Sequence, residues 1–191
     1  HECSSAASDV YKRQMQKREF LHSWKKENPS GKINKTMNET QIKEVLKNSK
    51  TIAMIGVSSE KKGEDKNNLK RKPANVVMKY MQDFGYKVYP INPFAIGETI
   101  NGETVIGSLD DIEEEIDILD VFRPSKEALN IAKEAIKKKV KVFWLQYGIH
   151  SDDAEKIINE ANIKFISNRC IKQDYQKIFL KSNPVFPVLK N

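Results

Sequence analysis

The 191-residue chain carries 33 Lys and Arg against 26 Asp and Glu, a net charge of +7, with 39% hydrophobic and 31% charged residues. That length suits one domain, or one domain with a tail, and the apolar content is too high for a wholly disordered chain. Its apolar runs reach only about four residues, as in Val142-Phe143-Trp144-Leu145, against ~20 for a membrane-spanning helix; two cysteines, Cys3 and Cys170, make no disulfide framework, and no Cys/His cluster has zinc spacing.

The basic excess is uneven. Residues 1–36 hold eight Lys/Arg and four Asp/Glu, whereas residues 37–191 hold 25 and 22. Ser4 to Gln14 has the look of a translated sequencing adapter, and the chain begins at His1 rather than Met. Residues 1–36 are therefore expected to be a non-native, disordered leader, with Met15 or Met37 as the true start. A nucleic-acid arm is the competing reading of this basic segment. No apolar stretch of a secretory signal stands at the N-terminus, so the expected compartment is the cytoplasm.

From Asn38 the pattern turns regular. Asn38 reads as the N-cap of a short helix carrying Ile42, Val45 and Leu46 on one face. The run Ile52 to Ile55, ending at Gly56, reads as a strand buried on both faces. A polar stretch from Ser58 to Lys72 follows. Pro73 opens a helix through Met81 with Val76, Val77, Tyr80 and Met81 facing inward. Gly85 stops it, and Tyr86 to Ile91 is the second strand. Asn101-Gly102 signals a tight hairpin.

Ile116 to Phe122 reads as the third strand, and Ser125 as the cap of a helix with Ala128, Leu129, Ala132, Ala135 and Ile136 inside. Val140 to Leu145 is the fourth strand, a helix capped by Ser151 follows, and Ile163 to Ile166 is the fifth strand. A short C-terminal helix and a tail, residues 182–191, complete the chain. Strand–helix alternation of this kind predicts an α/β fold, a doubly wound parallel sheet of about five strands, in a single domain over residues 37–181.

Ligands of such sheets lie beyond the carboxyl ends of the strands. Those ends read Gly56-Val57-Ser58-Ser59, Asn92-Pro93, Phe122-Arg123-Pro124, Gln146-Tyr147-Gly148 and Asn168-Arg169-Cys170. The set is polar, has two arginines and contains no carboxylate. It suits an anionic ligand and offers no general base. Gly56 permits close approach of a phosphate to backbone N–H groups. Arg123 is either a phosphate fork or the partner of Asp117 or Asp120, and Arg169 has the same two readings. Cys170 reads as a small buried residue, His150 as solvent-exposed, and Phe143 and Trp144 as core. The GxGxxG fingerprint is absent, and Asn92-Pro93 stands where an NAD site places an acid. That argues against NAD and leaves NADP or coenzyme A.

The stretch from Ile52 to Phe179 resembles the small stand-alone CoA-binding Rossmann proteins, which are similar to the N-terminal domain of the succinyl-CoA synthetase alpha subunit. The residues that carry the resemblance are Ile55-Gly56-Val57-Ser58, Lys72-Pro73-Ala74, Gly85 to Pro93, Ile96-Gly97-Glu98, Asp117 to Arg123, Val142 to Gly148 and Asn168-Arg169-Cys170. The resemblance implies a Rossmann-like fold. It implies that Gly56, Ser58 and Ser59 cradle CoA phosphates and that Arg71, Lys72 and Pro73 match an Arg/Lys-Pro-Ser element, with Ala74 in place of the serine. It also implies that Asn92, Pro93, Phe122, Arg123, Gln146 and Gly148 follow the adenine, ribose and pantetheine path. Arg169 completes the candidate set.

The segment Glu60 to Leu69 reads either as a lysine-bearing lid or as a plain insertion. No catalytic residue is implied, because a synthetase needs a phosphohistidine and a second domain. The expected function is therefore binding of coenzyme A or an acyl-CoA by a non-catalytic module. Its partner is a small molecule rather than nucleic acid or membrane, and its state is monomer or homodimer. An NADP-dependent oxidoreductase-like protein is the alternative.

Overall fold

Residues 37–59 and 72–180 are described by the structure, which is a computed structural model. The expected leader, the tail, the segment Glu60 to Leu69 and Arg71 lie outside the described residues.

Helix α1 (Glu39–Asn48) begins with a capping box. Asn38 Oδ1 accepts from the Gln41 N–H, and Gln41 Oε1 accepts from the Asn38 N–H, each at 2.9 Å. Two otherwise orphaned donors are thus satisfied reciprocally. The helix buries Ile42, Val45 and Leu46, as their spacing predicts.

The chain continues as β1 (Thr51–Ile55), α2 (Pro73–Asp83), β2 (Lys87–Ile91) and a hairpin of β3 (Thr99–Ile100) and β4 (Glu103–Thr104). Then come β5 (Ile118–Val121), α3 (Ala128–Lys138), β6 (Val142–Leu145), α4 (Asp152–Glu160), β7 (Lys164–Ile166) and α5 (Ile171–Tyr175). The larger sheet runs β2-β1-β5-β6-β7 and is parallel throughout. Asn101 and Gly102 turn the hairpin with φ of 50° and 86°, both positive as a type I′ turn demands.

Two cores flank this sheet. Ile52, Met54, Val88, Ile118 and Trp144 face one way, against α1, α2 and α5. Ala53, Ile91, Leu119, Val121 and Phe143 face the other, against α3 and α4. Strands buried on both faces are what helix-covered parallel sheets require. The chain steps from β1 outward to β2, then returns past β1 to β5. The order of strands therefore reverses between β1 and β5, and that is where a doubly wound sheet opens a crevice.

Three local expectations are corrected. In α2 the inner face is Ala74, Asn75, Val77, Met78 and Met81. Val76 is 54% exposed, because it lies about 100° round the helix from the Val77 face. Ser125 does not cap α3. It begins a 3-10 turn (Ser125–Glu127), and its Oγ accepts from the His150 N–H at 3.2 Å. In α3 Ile131 is buried while Leu129 and Ile136 are half-buried.

Candidate functional site

Gly56 leaves β1 with a φ of +100°. Its N–H donates to Ile91 O at 3.2 Å, and the Phe122 N–H donates to Ile55 O at 2.9 Å. The ends of β2, β1 and β5 are thereby tied side by side. A Cβ on Gly56 would lie 2.8 Å from Phe122 O, so only glycine fits both the conformation and the space.

A cleft of about 350 Å³ opens at this point. Gly56, Ile55, Ile91, Asn92 and Pro93 form one side, and Arg123, Glu127, Ile131 and Glu134 the other. Phe94 stands on the rim, 80% exposed. The size is at the lower end for ligand pockets and matches a nucleoside-sized group. Arg123 does not pair with Asp117 or Asp120. Its Nε donates to Glu127 Oε2 at 2.8 Å and its Nη2 to Glu127 Oε1 at 3.2 Å. The spacing of four residues brings the two side chains together over the turn between β5 and α3.

The loop after β1 is clamped by side chains remote in sequence. The Ser58 N–H donates to Asn75 Oδ1 and Asn75 Nδ2 returns to Ser58 O, both at 2.9 Å. Asn101 Nδ2 holds Asn75 O at 2.8 Å, and Asn92 Nδ2 holds Val57 O at 2.8 Å. Ser59 Oγ donates to the Glu98 carboxylate, and Lys72 Nζ donates to Ser59 O at 2.8 Å. Lys72 is the N-cap of α2 but caps nothing with its side chain, and Pro73 follows. The first-turn N–H groups of α2 thus have no intrahelical partner, which suits an anion.

The other strand ends are arranged differently. Gln146 is 4% exposed, and its Nε2 donates to Asp120 Oδ1 at 2.7 Å and Oδ2 at 2.9 Å. Asp120 is fully buried, and burial pushes its carboxyl up to about 7. Gly148 (φ 81°) donates its N–H to Asn168 Oδ1 at 2.8 Å, joining the β6 and β7 ends. Arg169 grips Asp174 through Nε at 2.8 Å and Nη2 at 2.5 Å, and its carbonyl accepts from Trp144 Nε1 at 2.8 Å. Cys170 is half-buried rather than buried, and His150 is exposed.

The expected residues therefore fall into three groups. Gly56, Asn92, Pro93 and Arg123 meet at the cleft, with Phe122 behind Gly56. Ser58, Ser59, Lys72 and Pro73 gather at the start of α2. Gln146 is turned inward and Arg169 is engaged by α5. The expectation of strand ends without a carboxylate is corrected. Glu98 reaches them from the hairpin and Glu127 from the following turn, while Asp120 lies just inside β5. Asp120 was legible as one of two aspartates in the apolar run Ile116 to Phe122, and Glu127 by its spacing from Arg123. Asn75 gave no local signal, and Glu98 stood in the resemblance as part of Ile96-Gly97-Glu98 without a role, because both act through tertiary contacts. Among the described residues no group of three His, Cys, Asp or Glu could hold a metal ion.

Residues 50–176 match the family model described as a CoA binding domain. An uncharacterized protein of Bacillus subtilis, YneT, is 34% identical over 134 residues, which is 70% of this chain and 91% of that protein. A solved structure from Thermus thermophilus, described as cell-free ID.343, is 34% identical with a TM-score of 0.66, covering 75% of this chain and all of that one. A hypothetical protein from Pyrococcus horikoshii OT3 is 32% identical with a TM-score of 0.65, covering 74% and 92%.

Proposed function

The chain belongs to the CoA-binding domain family, and on that premise we propose that it binds coenzyme A or an acyl-CoA through the β1/β5 crevice and performs no chemistry of its own. The observation that carries this reading is the cleft at Gly56, whose main chain packs against Phe122 where the strand order reverses. The adenosine end has a nucleoside-sized recess between Asn92-Pro93 and Arg123. The diphosphate end has the first turn of α2 and the Lys72 ammonium, which among the described residues makes no ion pair.

The engagement of two of the three nearby carboxylates supports the non-catalytic reading. Asp120 is sealed beneath Gln146, and Glu127 is neutralised by Arg123, so neither is placed to take a proton from a ligand. The partner is a small molecule, in a cytoplasmic protein acting as monomer or homodimer. Among the described residues no helix is long and apolar enough to cross a membrane.

Thermal unfolding of the full chain with CoA, acetyl-CoA, NADPH, NAD and ADP tests the reading. At 100 times its dissociation constant a ligand stabilises by ~2.7 kcal/mol, a rise of several degrees. CoA species are expected to give that rise. A rise with NADPH and none with CoA would replace the reading by the oxidoreductase alternative.

A further inference from the structure

Glu98 sits at the end of the loop that leads into β3 and points its carboxylate at Ser59. Ser59 Oγ is 2.9 Å from Oε1 and 2.7 Å from Oε2, so one hydroxyl meets both oxygens of an anion. Ser59 is also the residue whose carbonyl accepts from Lys72 Nζ at 2.8 Å. The main chain of Glu98 is held independently of its side chain. Its N–H donates to Ala95 O at 3.1 Å and its carbonyl accepts from the Val105 N–H at 2.7 Å. The carboxylate can therefore swing away by side-chain rotation with the hairpin left in place.

From this geometry we propose that Glu98 is a built-in anion that occupies the Ser59 hydroxyl until a ligand phosphate replaces it, and that it thereby sets the affinity of the site for phosphorylated ligands. The inference rests on the CoA reading for the identity of the ligand, but not for the competition itself. The half-buried carboxylate has one side-chain donor among the described residues, a neutral hydroxyl. The hydroxyl–carboxylate bond is charge-assisted on one side only, whereas an ammonium facing an anion is charged on both. The ammonium of Lys72 is beside the same serine and donates one of its three hydrogens to the Ser59 carbonyl. A phosphate entering at the start of α2 gains both the hydroxyl and the ammonium, and Glu98 opposes it by charge and by occupancy. A ligand without phosphate, filling the cleft alone, meets neither effect.

Isothermal titration of the full chain, as wild type and as Glu98→Gln, tests this. The substituted amide keeps an oxygen that accepts from Ser59 and loses the charge, so the fold is preserved. CoA and inorganic pyrophosphate are expected to bind Glu98→Gln roughly tenfold more tightly, a difference of ~1.4 kcal/mol, while adenosine changes by less than about twofold. In a Ser59→Ala background the gain from Glu98→Gln should shrink, as coupling through one shared group requires. Equal or weaker pyrophosphate binding by Glu98→Gln would overturn the proposal, as would an equal gain for adenosine. If neither protein takes CoA but Glu98→Gln gains for pyrophosphate, the competition stands and the CoA reading falls.

Discussion

The main chain at Gly56 passes so close to Phe122 that a Cβ there would lie 2.8 Å from the Phe122 carbonyl oxygen and 3.1 Å from its Cβ. This contact joins β1 to β5 at the point where strand order reverses, and the cleft opens beside it. The backbone cannot yield without moving the end of a central strand.

Gly56→Ala should therefore be costly twice over, from the clash and from a φ of +100°. Positive φ at a non-glycine residue and a forced backbone shift together predict a loss of at least ~2 kcal/mol. Urea denaturation of the variant measures it. A loss confined to a few tenths of a kcal/mol would show that the two strand ends separate freely.

Asn75 clamps Ser58 in both directions from the first turn of α2 while remaining 7% exposed. Asn75→Ala leaves the half-buried N–H and C=O of Ser58 without their partner, at a cost of about 1 kcal/mol. It should weaken CoA binding as well, since the loop proposed to face the diphosphate loses its brace. Thermal midpoints with and without CoA separate the two effects. Unchanged ligand stabilisation would detach this loop from binding.

Arg123 and Glu127 are 43% and 34% exposed, so their pair contributes less than ~1 kcal/mol to folding. Arg123→Ala should leave stability nearly unchanged yet weaken CoA binding by roughly tenfold or more, because a guanidinium beside an anionic ligand contributes as a charged donor. Comparing the titration isotherm with the melting curve decides it. A variant that melts early but binds normally would make the arginine a structural residue.

Asp120 gives a pH dependence of known sign. Its carboxyl is raised from 3.8 to about 7 by burial, so between these values the folded chain holds a proton that the unfolded chain releases. Stability from this group is present below pH ~4 and is lost as pH rises towards about 7, with a ceiling of roughly 4 kcal/mol. Asp120→Asn keeps the shape and removes the titration. The difference in stability between variant and wild type should therefore shift in favour of the variant from pH 4 to pH 8. A constant difference across that range would mean that Asp120 is ionised at both ends.

Much of this architecture is legible in the sequence because it is local. The capping box at Asn38, the helix stop at Gly85 and the Asn101-Gly102 turn each follow from side chains within three residues of one another. The apolar runs from Ile52 and Val142 identify strands buried on both faces. The site was half legible, since Gly56, Asn92 and Arg123 could be placed by their position after a strand. Where each side chain points could not be read. Gln146 turns inward to a buried aspartate, Arg169 turns to Asp174 five residues on, and Glu98 crosses from a separate hairpin to Ser59. These are choices made by tertiary packing, where a buried polar group takes whichever partner the fold presents.

The central claim is that the β1/β5 crevice takes coenzyme A. Calorimetric titration of CoA into the full chain tests it most directly. Saturable binding of one CoA per chain, weakened by Arg123→Ala, is the predicted result. No heat with CoA or with any acyl-CoA, from protein that melts cooperatively, would contradict it.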